Sequence, residues 1–343
     1  MNKFDKTHVF GTHIMWYEIE MVDEYLASIL HAMKLSRWPI HFVFRLNGQT
    51  YLEQPDPGVD VNELLRGITE KIHVFRDRVR DMDTLRLAKL SDLTVNDLED
   101  FTTKIDVQTI WKESTQPLTN IADFRRDTVN TGVGFTLSGE VDTLLPKRYF
   151  QLLEMIGNSD IERPYIVSFS SRKCWDESWT LVEHSKFQAL PCTKKGQKAI
   201  PEPFNWDDYI TQDELDEFND AQTTAPPLVE LPLWKFDGAL LAYSTEMPQL
   251  IPTDFHFAPD DWASQIMLEN VYPHIKQYHL PSVLKGHNYM HPRKRKFTQS
   301  VRESDIYKFA INDSFKALHE ELSIYGLILQ RDGSCKRTTI VNV

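Results

Sequence analysis

Residues 8–16 are rich in β-branched and aromatic side chains, and Met21, Tyr25, Ile29 and Met33 then recur at four-residue steps. The first pattern predicts a strand and the second an amphipathic helix with one apolar face. Trp38-Pro39 predicts the end of that helix, because the residue before a proline is pushed out of helical geometry. Ile40, Phe42 and Phe44, with Val43 between them, form a nearly continuous apolar run, the pattern of a strand buried on both faces. Strand, helix and buried strand in that order predict a β-α-β unit of a parallel sheet. The Asn47-Gly48 turn follows at the carboxyl end of the second strand, where open α/β sheets place their ligands.

Further along, the pattern predicts a helix over 61–71, a short strand over 72–75, and polar helical chain over 81–120. A strand at 132–137, a helix at 146–156 with Pro146 at its start, and an apolar strand at 165–169 come next. Residues 194–230 are polar and proline-bearing, with the acidic stretch NWDDYITQDELDEFND, and read as an insertion holding a solvated helix. Apolar chain returns at 231–243, helices are expected at 262–271 and 304–322, and no internal repeat is visible. The expected class is α/β with a mostly parallel central sheet and a helical C-terminal extension. Residues 1–300 form the expected main domain, with halves 1–157 and 158–300, and 301–343 the extension.

The 343 residues carry 50 acidic against 38 basic side chains, a formal net charge of −12. Such a chain is a poor non-specific polyanion binder, so any nucleic-acid contact must be local. There is no apolar run long enough to span a bilayer and the N-terminus lacks the apolar core of a signal peptide, so a cytosolic protein is expected, in the host cytoplasm if phage-encoded. Cys174, Cys192 and Cys335 are too few and too scattered for a disulfide framework or a cysteine zinc site.

Chemistry concentrates in Ser138-Gly139-Glu140-Val141-Asp142, between an expected strand and the helix at Pro146. Two carboxylates two residues apart at a strand end point the same way, and hard oxygen ligands so placed suit Mg²⁺ or Mn²⁺. Taken alone, the pair would equally serve as solvated turn carboxylates. Asp260-Asp261-Trp262 opens an expected helix, where Asp can cap or act as a base. Residues 285–296, KGHNYMHPRKRK, form the densest basic run and include His287 and His291.

Taken in order, these fragments resemble the GT-A glycosyltransferases, in particular the family 2-like enzymes. Asn47-Gly48-Gln49-Thr50 looks like their first nucleotide turn, Arg125-Arg126 like their Arg-bearing helix, and Glu140-Val141-Asp142 before Pro146 like their Asp-x-Asp metal motif. The resemblance implies a metal-dependent, inverting transfer of a sugar from a nucleotide sugar, UDP-linked, to a hydroxyl acceptor. It implies Mn²⁺ or Mg²⁺ on Glu140 and Asp142 with His287 or His291, and Asp261 or Asp260 as catalytic base. Asn47, Arg125, Arg126, Arg293 and Arg295 would contact the nucleotide or its phosphates.

The basic loop at 293–296 is similar to a feature of phage-type enzymes that glycosylate hydroxymethylated bases in DNA, which makes DNA one expected acceptor. A polysaccharide or a small molecule is the alternative. A non-catalytic nucleotide-binding or assembly protein on the same sheet also stays open, because Arg45-Leu46 stands where the family carries an acid.

Overall fold

The computed structural model describes residues 6–48, 58–88, 103–110, 134–173, 210–220, 228–231, 239–244, 260–288, 293–294, 305–330 and 334–337. β1 (His8–Met15), α1 (Ile19–Met33) and β2 (Ile40–Asn47) are the β-α-β unit that the apolar pattern predicts. β1 lies between β2 and β4 (Phe135–Gly139), parallel to both, and β3 (Lys104–Ile110) adds to the far side of β2, also parallel.

Beyond β4 the sheet continues through β8 (Leu241–Ser244), β6 (Tyr165–Lys173), β9 (Lys276–His287) and β5 (Thr143–Leu144), with β7 (Val229–Leu231) also on β9. β8 is antiparallel to both β4 and β6, and β9 is parallel to β6. Hence β1, β2, β3, β4, β6 and β9 all run one way, and only β5, β7 and β8 oppose them. The expected α/β class with a mostly parallel central sheet is therefore present.

α1 covers one sheet face with Val22, Tyr25, Ile29 and Met33, and α2 (Val61–Ala88) lies beside it. α2 overturns the strand expected at 72–75. Val61, Leu65, Ile68, Ile72, Phe75 and Val79 keep steps of four and three, all are buried, and Val74 between them is exposed. β-branched Ile72 and Val74 look strand-like locally, but burial of one continuous stripe, about 1.5–3 kcal/mol per large side chain, favours the helix.

Part of the helical stretch expected at 81–120 is instead β3. Among the described residues it is an edge strand that pairs with β2, and Lys104, Asp106 and Gln108 alternate with Ile105 and Val107, a short period-two run inside a stretch that otherwise reads as polar. Residues 89–102 and 111–120 lie outside the described ones.

α3 (Tyr149–Gly157) buries Tyr149, Phe150, Leu152, Leu153 and Ile156 against the sheet. α4 (Gln212–Asp220) is the acidic helix of the polar insertion, and it is only half solvated. Its Leu215 and Phe218 pack with Leu144, Ile210 and Leu284 at the β5–β9 corner. α5 (Asp260–Asn270) packs through Ala263, Ile266 and Met267 against Leu318 and Leu322 of α6 (Asp305–Ile324). The C-terminal region is not all helix: β10 (Leu327–Leu329) and β11 (Cys335–Arg337) close it with an antiparallel pair. Among the described residues, no helix is long and apolar enough to cross a membrane.

Candidate metal centre

The parallel strands end on a common edge. Met15 of β1 lies opposite Asn47 of β2, and Thr12 lies opposite Gly139 of β4. Chain leaving β4 there makes a tight turn, with Thr143 N–H donating to the Glu140 carbonyl at 2.9 Å. It then returns as β5, antiparallel to the end of β9, with Thr143 opposite His287 and Leu144 opposite Gly286. This reversal carries Glu140 and Asp142 to the imidazole of His287, although 145 positions separate the Asp142 and His287 numbers.

His287 Nε2 lies 3.2 Å from Asp142 Oδ1 and 3.4 Å from Glu140 Oε2. One ligand atom from each of Glu140, Asp142 and His287 falls within 4.8 Å of the other two. Two ligands at right angles, each about 2.1 Å from a shared ion, would stand about 3 Å apart, so the spacing fits a divalent cation. Asp142 Oδ1 is buried and accepts no well-aligned hydrogen bond, which leaves a lone pair for an ion. Two carboxylates and one imidazole form a mixed oxygen and nitrogen donor set that could hold a divalent cation.

The other Asp142 oxygen is held differently. Oδ2 accepts from Lys294 Nζ at 2.7 Å, and the same ammonium lies 2.6 Å from Glu18 Oε1. Glu18 Oε2 in turn accepts from the Met15 backbone N–H at 2.9 Å, which ties the carboxylate to the end of β1. Burial works against every charge in this cluster. At Asp142 the burial cost is outweighed by Lys294 and His287, so its pKa lies well below the usual carboxylate range. At Glu18 burial wins over Lys294, and the pKa is raised. Burial also opposes the Lys294 ammonium, yet Asp142 and Glu18 outweigh it and the pKa stands well above the ordinary value.

Behind the acids, Gly139 leaves room for the Tyr25 hydroxyl, which shares a 2.6 Å hydrogen bond with Thr12. At the neighbouring strand end, Asn47 Nδ2 lies 3.2 Å from His13 Nε2, both buried. Asn47 therefore reaches the ligand edge through a paired side chain.

Of the residues singled out in the sequence, Glu140, Asp142 and His287 meet. Arg293 lies 2.6 Å from Glu20 at the start of α1, so two members of the basic run turn inward onto acids following β1. Asp260 and Asp261 open α5, with side chains outside the described ones. Arg125, Arg126, His291 and Arg295 also lie outside the described residues. Glu18 escaped the sequence reading. Its one signal is position: it follows β1 directly, at the carboxyl edge where such sheets bind ligands.

No protein-family model matches the chain, and no curated protein matches it. Among solved structures, S. aureus TarS 1-349 in complex with UDP aligns over 93% of this chain and 72% of that one, at 10% identity and a TM-score of 0.39. The S. aureus TarS 1-349 complex with UDP-GlcNAc aligns over 93% and 73% respectively, at 10% identity and a TM-score of 0.35.

Proposed function

We propose that this chain is a metal-dependent glycosyltransferase that moves a sugar from a nucleotide sugar, UDP-linked, to a hydroxyl acceptor. The observation that carries the reading is the meeting of Glu140, Asp142 and His287 at the carboxyl edge of the parallel strands. Bound there, Mn²⁺ or Mg²⁺ would neutralise charge on the departing nucleoside diphosphate. S. aureus TarS, a distant structural neighbour, is crystallised with UDP and with UDP-GlcNAc, which is in keeping with a uridine nucleotide donor.

In this reading Glu140, Asp142 and His287 hold the ion. Asn47 contacts the nucleotide, and Arg125, Arg126 and Arg295 contact it or its phosphates, whereas Arg293, also expected there, is engaged by Glu20. Asp261 or Asp260 accepts the proton of the acceptor hydroxyl as the new glycosidic bond forms and the sugar–phosphate bond breaks, with inversion at the anomeric carbon. D142N is expected to abolish Mn²⁺-stimulated hydrolysis of UDP-sugars. Undiminished turnover in that variant would remove the metal assignment.

The acceptor divides the remaining readings. A hydroxymethylated base in DNA would be drawn by the basic run at 293–296, as in phage enzymes, but Arg293 and Lys294 are committed to Glu20, Glu18 and Asp142. That commitment favours a polysaccharide or small-molecule acceptor. DNA binding at low salt that disappears on neutralising residues 293–296 would reverse the preference. A non-catalytic binding protein, the reading that Arg45 and Leu46 leave open, would bind UDP without turning over any donor.

A further inference from the structure

The outer side of β9 is paired in two places, with β7 over 277–279 and with β5 over 286–287. Between them the ladder to β5 stops. Two steps beyond the Leu144–Gly286 pair, the position opposite Leu284 falls on Pro146, which has no N–H to donate and begins the turn into α3. Asn219 of α4 takes that place. Its side-chain oxygen accepts from the Leu284 N–H at 2.8 Å and its Nδ2 donates to the Leu284 carbonyl at 2.9 Å, so one carboxamide pairs as a strand peptide would. Nδ2 also donates to the Leu215 carbonyl at 2.9 Å, which fixes the amide on its own helix. α4 is in turn fastened by Asp216 to His31 of α1 at 2.6 Å and by Asp220 to Lys147 at 3.1 Å.

The contact falls just after an interruption in β9. Pairing with β6 jumps from Phe169–Leu280 to Ser170–Leu284, so residues 281–283 are spare and the register of 284–287 does not follow from that of 276–280. A slip of one residue would turn His287 to the opposite face of the sheet, away from Glu140 and Asp142. Ile210 opposes such a slip: a Cβ at Gly286 would stand 2.5 Å from Ile210 Cγ2, and a slip in either direction would bring one there. Ile210 and Asn219 lie at the two ends of one short segment, and both bear on the end of β9. The geometry points to Asn219 as a positioning residue for the metal centre, one that sets the register of the β9 end through Leu284 and so brings His287 to Glu140 and Asp142. This rests on the metal-centre reading above and adds to it the part of the polar insertion, α4, that assembles the site.

The test is Mn²⁺ affinity of the full chain, read by paramagnetic resonance for wild type, N219A, H287A and the N219A/H287A double variant, with urea unfolding of each alongside. Losing a partner that orients a metal ligand weakens binding about 10–100-fold, so N219A is expected to bind Mn²⁺ at least about tenfold more weakly than wild type. In the H287A background the same substitution is expected to change Mn²⁺ affinity by less than about twofold, because its effect runs through the imidazole already removed. A residue that only stabilises the fold would lower the urea midpoint and leave Mn²⁺ affinity within about twofold of wild type. That result, or equal losses of affinity in the two backgrounds, would overturn this inference alone. If N219A does not fold, N219D, which has the same shape but no donor for the Leu284 carbonyl, carries the same comparison. Failure of the wild type to bind Mn²⁺ would overturn the metal centre and the inference with it.

Discussion

Asn288 donates its backbone N–H to the carbonyl oxygen of Asp142 at 2.6 Å, immediately beyond the Thr143–His287 strand pair. The Asn288 side chain meanwhile accepts from Ile210 N–H at 3.1 Å and donates to the Ile210 carbonyl at 2.6 Å. One residue therefore ties the turn carrying Asp142, the strand end carrying His287 and the segment leading into α4.

N288A keeps the backbone bond to Asp142 but leaves both buried polar groups of Ile210 without this partner. A loss of about 2 kcal/mol in urea unfolding is expected, from two buried hydrogen bonds at roughly 1 kcal/mol each. A variant within a few tenths of a kcal/mol of wild type would show that Asn288 does not tie these segments together.

A Cβ at Gly139 would stand 2.1 Å from the Tyr25 hydroxyl oxygen and 2.8 Å from Phe10 Cζ. G139A is expected to cost about 1–3 kcal/mol, the usual range for overpacking a filled core. Because the first clash is with the hydroxyl, Y25F introduced into G139A should recover part of that loss, although Y25F alone destabilises by removing the partner of Thr12. Thermal unfolding of the three variants checks this. Additive losses would contradict it.

The depressed Asp142 pKa contributes stability that is fully present above the unfolded value of about 3.9 and is lost as pH falls through the folded value. Glu18 acts with the opposite sign: its raised pKa favours the folded chain at low pH, and that contribution is lost as pH rises through the folded value. The stability gap between wild type and D142N should therefore be widest above about pH 5 and narrow below about pH 4. Denaturant unfolding across pH 3 to 7 measures it, and a gap constant over that range would mean that Lys294 and His287 do not hold the Asp142 charge.

The β-α-β start was legible because it follows from local periodicity, and the acid pair after β4 because two carboxylates two residues apart stand at an expected strand end. The strand expected at 72–75 failed because Ile72 and Phe75 belong to a longer helical stripe, visible only when the spacing is followed from Val61. β9 was missed for a different reason. Pro281 interrupts it, pairing with β6 jumps from Phe169–Leu280 to Ser170–Leu284, and the Ser170 hydroxyl bonds the Pro281 carbonyl at 2.6 Å instead. His287 could thus be named as a ligand candidate but not placed. Lys294 read as one cation among four in HPRKRK, and nothing in a linear pattern shows that it turns inward to Glu18 and Asp142.

Calorimetric titration of UDP into the wild type and D142N, with and without Mn²⁺, addresses the metal centre most directly. Saturable binding to the wild type that requires Mn²⁺ and weakens at least about tenfold in D142N is predicted, since the coupling runs through one carboxylate of a buried donor set. UDP binding that ignores both Mn²⁺ and the substitution, or no UDP binding at all, would contradict the account.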